Sequence, residues 1–193
     1  MLEVGKLANA TEDRSHFAAW AVSSSPLILS FNLSDKTAMD RVWPFVASRA
    51  ILEINQRWIG HPGTRLTGPP PPPPSKHSKG PPPPPGQVWA KPLGNQSYAV
   101  VLFSTVAVEA VVSMPLVNVS SHVAWAKLAG AGTPFAAGGK LCVRDVYASK
   151  EMPAGTAVGG GKLAVVLQPH DSAFYCVRAA AADGSCPLKG CPP

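Results

Sequence analysis

The chain has 193 residues, a formal net charge of +6 and a hydrophobic fraction of 46%. That length accommodates one or two domains, and a charged fraction of 15% excludes a charge-driven disordered chain. Lys and Arg are scattered, with no basic run interleaved with aromatics, which argues against a nucleic-acid partner.

Residues 1–4 read as a short buried strand ending at Gly5. Asn9 can cap a helix, with Glu12 in the capping-box position. The helix is expected over residues 10–23, with Phe17, Trp20, Ala21 and Ser24 on one face. Residues 26–29 read as a second buried strand. Ser34 is placed to cap a helical piece over residues 35–42, which Pro44 interrupts. A further helix is expected over residues 47–56, with Ala50, Ile51 and Ile54 on one face. Strand–helix–strand–helix is the pattern of parallel βα units, and two such units cannot close a barrel of eight.

Residues 68–86 carry two proline runs around a Ser-Lys-His-Ser-Lys-Gly spacer. Such runs adopt polyproline II and offer no donors to a sheet. They read as a semi-rigid linker or surface insertion, with docking to a proline-recognition domain as the second reading. His77 belongs to that solvated spacer.

From residue 87 strand signals recur at 88–91, 98–103, 106–112, 116–119, 123–128, 141–147, 163–167 and 173–177. Turns containing Gly or Pro separate most of them, as in an antiparallel sandwich. The apolar run 98–117 is long enough to span a membrane. Glu109, Pro115 and the β-branched content suit two buried strands instead, so a membrane partner is not expected. The Ala-rich tail after residue 179 is expected outside the core.

Acid/base catalysis by a carboxylate pair needs both groups to converge on one scissile bond. The chain has eleven acids, and no two are obviously placed to converge. Glu12, Asp13, Asp35, Asp40 and Glu53 suit helix starts or exposed faces. Glu109 suits a solvated turn, and Asp145 suits pairing with Arg144 or a turn amide. No G-x-S-x-G occurs, and Gly159-Gly160-Gly161 lies between β segments, so neither serine catalysis nor a phosphate loop is indicated. His16, His122 and His170 are isolated and read as structural.

The four cysteines lack the paired C-x-x-C spacing of a zinc site, and neither a metal nor a cofactor is expected. Cys186 and Cys191 enclose a short turn that can bring their Cα atoms within the ~4.4–6.8 Å of a disulfide. They are expected to pair in an oxidising compartment. Cys142 and Cys176 can pair only if their strands are neighbours. Sequons at Asn9, Asn32, Asn95 and Asn118 mark candidate glycosylation sites and, with paired cysteines, lean towards a secretory origin. No basic and apolar leader opens the chain, which reads as a cytosolic protein or an internal fragment, with the fragment favoured.

The order of several motifs resembles the melibiase-type α-galactosidases, a glycoside hydrolase family that includes α-N-acetylgalactosaminidases. Met1-Leu2-Glu3-Val4-Gly5, with Lys6 in place of Asn, resembles the end of a late barrel strand. His16, Phe17 and Trp20 resemble the following helix. Pro26-Leu27 matches Ala-Pro-Leu, with Ser25 for Ala. The family's Ile-x-x-Asn-Gln-Asp is resembled by Ile51, or more closely by Ile54-Asn55-Gln56, with Arg57 for Asp. Val88-Trp89-Ala90-Lys91-Pro92-Leu93 and Ala99-Val100-Val101-Leu102-Phe103 resemble the first strands of the C-terminal domain. Val143-Arg144-Asp145-Val146-Tyr147 and Pro169-His170 resemble its last ones.

The resemblance implies α/β plus all-β architecture: the last two βα units of an incomplete (β/α)8 barrel, then an antiparallel β-sandwich. The implied division is residues 1–66 barrel, 67–86 linker, 87–179 sandwich and 180–193 tail. It implies hydrolysis of terminal α-galactosides with retention in the parent enzyme, which is secreted, vacuolar or lysosomal. The family's two catalytic aspartates lie upstream of the segment matching Met1, so no residue here is assigned a catalytic role. Only Met1 falls on a substrate-contacting position. The competing readings are a non-catalytic carbohydrate-binding or wall-associated module, and a membrane-attached protein using residues 98–117.

Overall fold

The computed structural model describes residues 1–67, 84–122, 125, 128, 135, 140–152, 158–159, 161–186 and 191–192. They form three layers: helices, a six-stranded sheet and a three-stranded sheet. The expected proline linker lies mostly outside the described residues, as does most of the strand expected at 123–128.

Helix α1, Ala10–Val22, starts at Asn9, whose side chain accepts a bond from the Glu12 amide at 2.9 Å. Helix α2, Lys36–Val46, is capped by Asp35 rather than Ser34. Asp35 Oδ1 accepts from the Ala38 amide at 3.1 Å, and its charge suits the positive helix end. Pro44 does not interrupt α2. It sits in the last turn, where only one amide donor is lost, and Ala47 N still bonds to Trp43 O at 3.1 Å. Helix α3, Arg49–Gln56, is capped by Ser48 and buries Ala50, Ile51 and Ile54 as their spacing predicts.

Where two buried strands were expected near residues 1–4 and 26–29, there is a single parallel bridge, Leu2 with Leu29. Leu2 and Val4 are fully buried, but Pro26 and Ile28 are exposed. No further strand flanks the pair among the described residues, so a ladder does not propagate.

The large sheet runs β1 (Thr64–Arg65), β2 (Gly86–Gly94), β3 (Ser97–Ser104), β9 (Ser172–Ala179), β5 (Leu141–Asp145) and β6 (Lys150–Glu151), antiparallel throughout. The small sheet is β4 (Ala110–Pro115), β8 (Lys162–Leu167) and β7 (Val158–Gly159). The β2–β3 hairpin turns through Asn95 and Gln96, both at positive φ (51° and 53°), the geometry that matches the twist of the strands.

Side-chain alternation explains why β3 is apolar throughout. Tyr98, Val100 and Leu102 face the small sheet, while Ala99 and Val101 face the helices. Both faces are covered, so the apolar run needs no membrane. Among the described residues no helix is long and apolar enough to cross one.

Residues 116–119, expected as a strand, belong instead to helix α4, Leu116–Ser120. Leu116 and Val119 are buried, while Val117 and Asn118 are exposed. A three-residue interval puts two side chains on one face of a helix but on opposite faces of a strand.

Candidate functional site

The segment carrying Met1 is an open edge held from behind. Met1 is 75% exposed and Ile28 57% exposed. Leu2 N donates to Ile28 O at 3.3 Å, and the Ser30 hydroxyl donates to Leu2 O. Glu3 N donates to His16 Nε2 at 3.2 Å, and Gly5 N donates to Asp13 Oδ1 at 2.8 Å. Gly5 has φ +86°, and a Cβ there would lie 2.6 Å from the Phe31 ring.

Asp13 lies in the first turn of α1, one of the two settings expected for it, but it is fully buried rather than on an exposed face. Its second oxygen is 2.9 Å from Arg41, an ion pair too poorly aligned to count as a hydrogen bond. Arg41 also reaches Leu7 O at 3.3 Å. A single buried carboxylate therefore ties the edge segment, α1 and α2 together.

The other acids have structural tasks. Glu3 pairs with Lys6, Glu53 with Arg49 and Asp171 with Arg14 at 2.6 Å. Glu151 pairs with Arg178 and Arg144. Asp145 accepts from the Ala148 turn amide at 2.9 Å, and Glu109 is exposed and bonded to Gln168. Asp40 is exposed on α2. A cleft of ≈270 Å³ beside α1 includes Arg14, Arg41, Ser48 and Tyr147 in its lining, and one of ≈340 Å³ lies between α1 and the β2–β3 hairpin. Neither is lined by a carboxylate. Nor do the described residues include a group of His, Cys, Asp and Glu able to hold a metal ion.

The family-like motif residues wire the helices to the sandwich. His16 accepts the Glu3 amide, and burial lowers its pKa, keeping the ring neutral and able to accept. Asn55 Nδ2 donates to Trp20 O at 3.3 Å and Ser25 O at 2.9 Å. Lys91 is fully buried, and its ammonium bonds to Ile54 O and to Asn55 O at 2.9 Å. It thus caps the negative end of α3 from the sheet. Burial, reinforced by the charge of Arg57, pushes its pKa down to about 8. Ser15, Ser172 and Tyr147 form a second weld: Ser15 Oγ donates to Ser172 Oγ at 3.0 Å, and Tyr147 OH lies 2.7 Å from that oxygen. Burial pushes the Tyr147 phenol far above its ordinary value. The His122 ring lies tilted against buried Trp125, centroids 4.8 Å apart, and burial and His61 lower its pKa.

The cysteine expectation is corrected. Cys186 bonds to Cys142 and Cys191 to Cys176, so Cys186 and Cys191 lie in separate bridges. The strands of Cys142 and Cys176 are neighbours, but Cys142 opposes Arg178 and Cys176 opposes Arg144 in register. Each cysteine meets the returning tail instead. The tail is therefore stapled to the sheet, with Cys191 only 8% exposed in the helix-side core. Asn9, Asn32, Asn95 and Asn118 are all exposed.

The described residues thus build a two-layer antiparallel β-sandwich backed by a helical layer. Residues 84–177 match the family model described as the α-galactosidase C-terminal β-sandwich domain. The chain is 24% identical over 176 residues to an α-galactosidase of Oryza sativa, covering 91% of this chain and 34% of that protein. In fold it is similar to α-galactosidase I of Mortierella vinacea (TM-score 0.66, 18% identity, 96% of this chain and 40% of that one). It is also similar to the Saccharomyces cerevisiae α-galactosidase solved with raffinose (TM-score 0.64, 18% identity, 93% and 46%). Together these similarities support a melibiase-type α-galactosidase C-terminal region, with residues 84–177 as its β-sandwich. It spans about a third of the length of the rice relative.

Proposed function

We infer that the chain completes a retaining exo-α-galactosidase acting on terminal non-reducing α-D-galactosyl residues, with both catalytic aspartates supplied outside residues 1–193. The match of residues 84–177 to the α-galactosidase C-terminal domain carries this reading. In a retaining glycosidase the nucleophile and the acid/base lie ~5–5.5 Å apart. Every acid here other than exposed Asp40 has an ion-pair or hydrogen-bond partner, which supports placing those groups elsewhere.

In this reading residues 1–66 are the last two βα units of the barrel, 67–86 a proline linker, 87–179 the buttressing sandwich and 180–193 a tail. The parallel bridge at Leu2 and Leu29, with α1 between its two sides, supports the barrel assignment. Met1 lines the sugar pocket as an apolar contact, and its exposure at the open edge fits that role. The exposed sequon asparagines Asn9, Asn32, Asn95 and Asn118 carry glycans in a secreted or vacuolar parent. The test is to incubate the purified chain with an aryl α-galactoside. No turnover is expected, and turnover abolished by mutating one of the chain's own acids would overturn the reading.

A further inference from the structure

The open cleft of ≈340 Å³ between α1 and the β2–β3 hairpin has no part in the reading above. Its volume is near the lower end of the ~300–1,000 Å³ of small-molecule sites. Sheet geometry brings its main side chains together. Gln87 and Trp89 are two apart on β2 and share a face, and Phe103 is the register partner of Gln87 on β3. Trp89 and Phe103 rest against the helix-side core yet remain half-buried, leaving ring surface for a ligand. His16, Thr105 and His170 also line the cleft.

The polar groups are neutral donors and acceptors held in place. Trp89 Nε1 donates to Gln87 Oε1 at 3.2 Å, which orients the amide. The Gln87 NH2 has no acceptor among the described residues. His16 Nε2 accepts from Glu3 N, so the neutral ring carries its proton on Nδ1. No Lys, Arg, Asp or Glu lines the cleft, so a phosphate, a carboxylate or an amine finds no counter-charge. A wholly apolar ligand would leave the amide and imidazole groups without partners. Half-exposed aromatic faces beside uncharged hydrogen-bonding groups suit a ligand with one apolar face and a rim of hydroxyls. That is the chemistry of a pyranose ring.

We propose that this cleft is a non-catalytic saccharide subsite, in which a pyranose lies against Trp89 and Phe103 while its hydroxyls bond to Gln87 and its polar neighbours. The site uses only side chains of this chain and does not depend on the hydrolytic reading.

The test is NMR titration of the full 193-residue chain with methyl α-galactoside and methyl β-glucoside, with sorbitol as a polyol lacking a pyranose face. Saturable shifts of the Trp89 indole N–H and the Gln87 side-chain amide are expected with at least one glycoside and not with sorbitol. Trp89→Ala should weaken binding roughly tenfold, as for truncation of an aromatic anchor. Trp89 also packs on the core, so Gln87→Ala is the second variant; it should weaken binding several-fold with the melting temperature unchanged. A folded chain with no shifts at about 50 mM of either glycoside overturns the proposal. So do equal shifts with sorbitol, or an affinity unaffected by Gln87→Ala.

Discussion

Asp13 offers the sharpest test of how the helical layer is held. Asp13→Ala removes the acceptor for Gly5 N and the partner of Arg41. The Gly5 amide is part-buried, so leaving it unpaired costs towards the lower end of about 1–3 kcal/mol. Breaking a buried ion pair costs about 3–5 kcal/mol, but the Arg41 side chain is 31% exposed, and water offsets much of that. A combined loss of about 3 kcal/mol follows. For a chain of this size each kcal/mol is worth ~2–4 °C, so the melting temperature should fall by ~6–12 °C. Asp13→Asn keeps an oxygen for Gly5 N and loses only the charge, so it should fall between wild type and Asp13→Ala. Thermal unfolding by circular dichroism gives the magnitude, and hydrogen exchange at the Gly5 amide gives the location. Exchange should accelerate in Asp13→Ala and much less in Asp13→Asn. A drop of less than about 2 °C in Asp13→Ala, or unchanged exchange at Gly5, would refute the reasoning.

Paired Ser substitution of Cys176 and Cys191, which close a 15-residue separation, should cost about 3 kcal/mol in denaturant unfolding. Substituting Cys142 and Cys186, separated by 44, should cost about 4 kcal/mol. A peptide map showing a Cys186–Cys191 link would contradict both. Stability should also rise between pH about 8 and about 10, because unfolded Lys91 still holds its proton there while the buried amine releases it near 8. Above pH about 10 the trend reverses. Tyr98, Tyr147 and Tyr175 have raised pKa values through burial, and the unfolded chain ionises first. A monotonic loss of stability from pH 7 to 10 would sink this assignment. In a protein that carries the upstream barrel, Met1→Ala should raise KM severalfold and leave kcat nearly unchanged; a large kcat loss would contradict a merely apolar contact.

What the sequence disclosed was local. The Asn9 cap is visible because the accepting oxygen and the Glu12 amide are three residues apart. The β2, β3 and β9 segments are visible because strand-like composition survives even where both faces are buried. What it concealed was set by distant partners. Asp13 looks like any first-turn acid until Arg41 and Gly5 close over it. Lys91 lies in an expected strand, and only the end of α3, 36 and 37 positions back, explains its burial. The cysteines follow the same rule. A short turn favoured Cys186 with Cys191, whereas the returning tail crosses two strands and gives each a nearer partner. The β-branched composition of residues 116–119 suggested a strand, whereas the buried residues Leu116 and Val119 lie at the helical interval. The cleft at Trp89 escaped notice because β2, β3 and α1 each supply a part of it.

The central claim is that this chain can serve as the C-terminal region of an α-galactosidase. The most direct measurement replaces the corresponding third of the rice relative with residues 1–193 and follows cleavage of an aryl α-galactoside by NMR. A folded chimera should hydrolyse the substrate and release the α-anomer of galactose first, while residues 1–193 alone should release none. A well-folded chimera that cleaves no α-galactoside, or that releases the β-anomer first, would contradict the account.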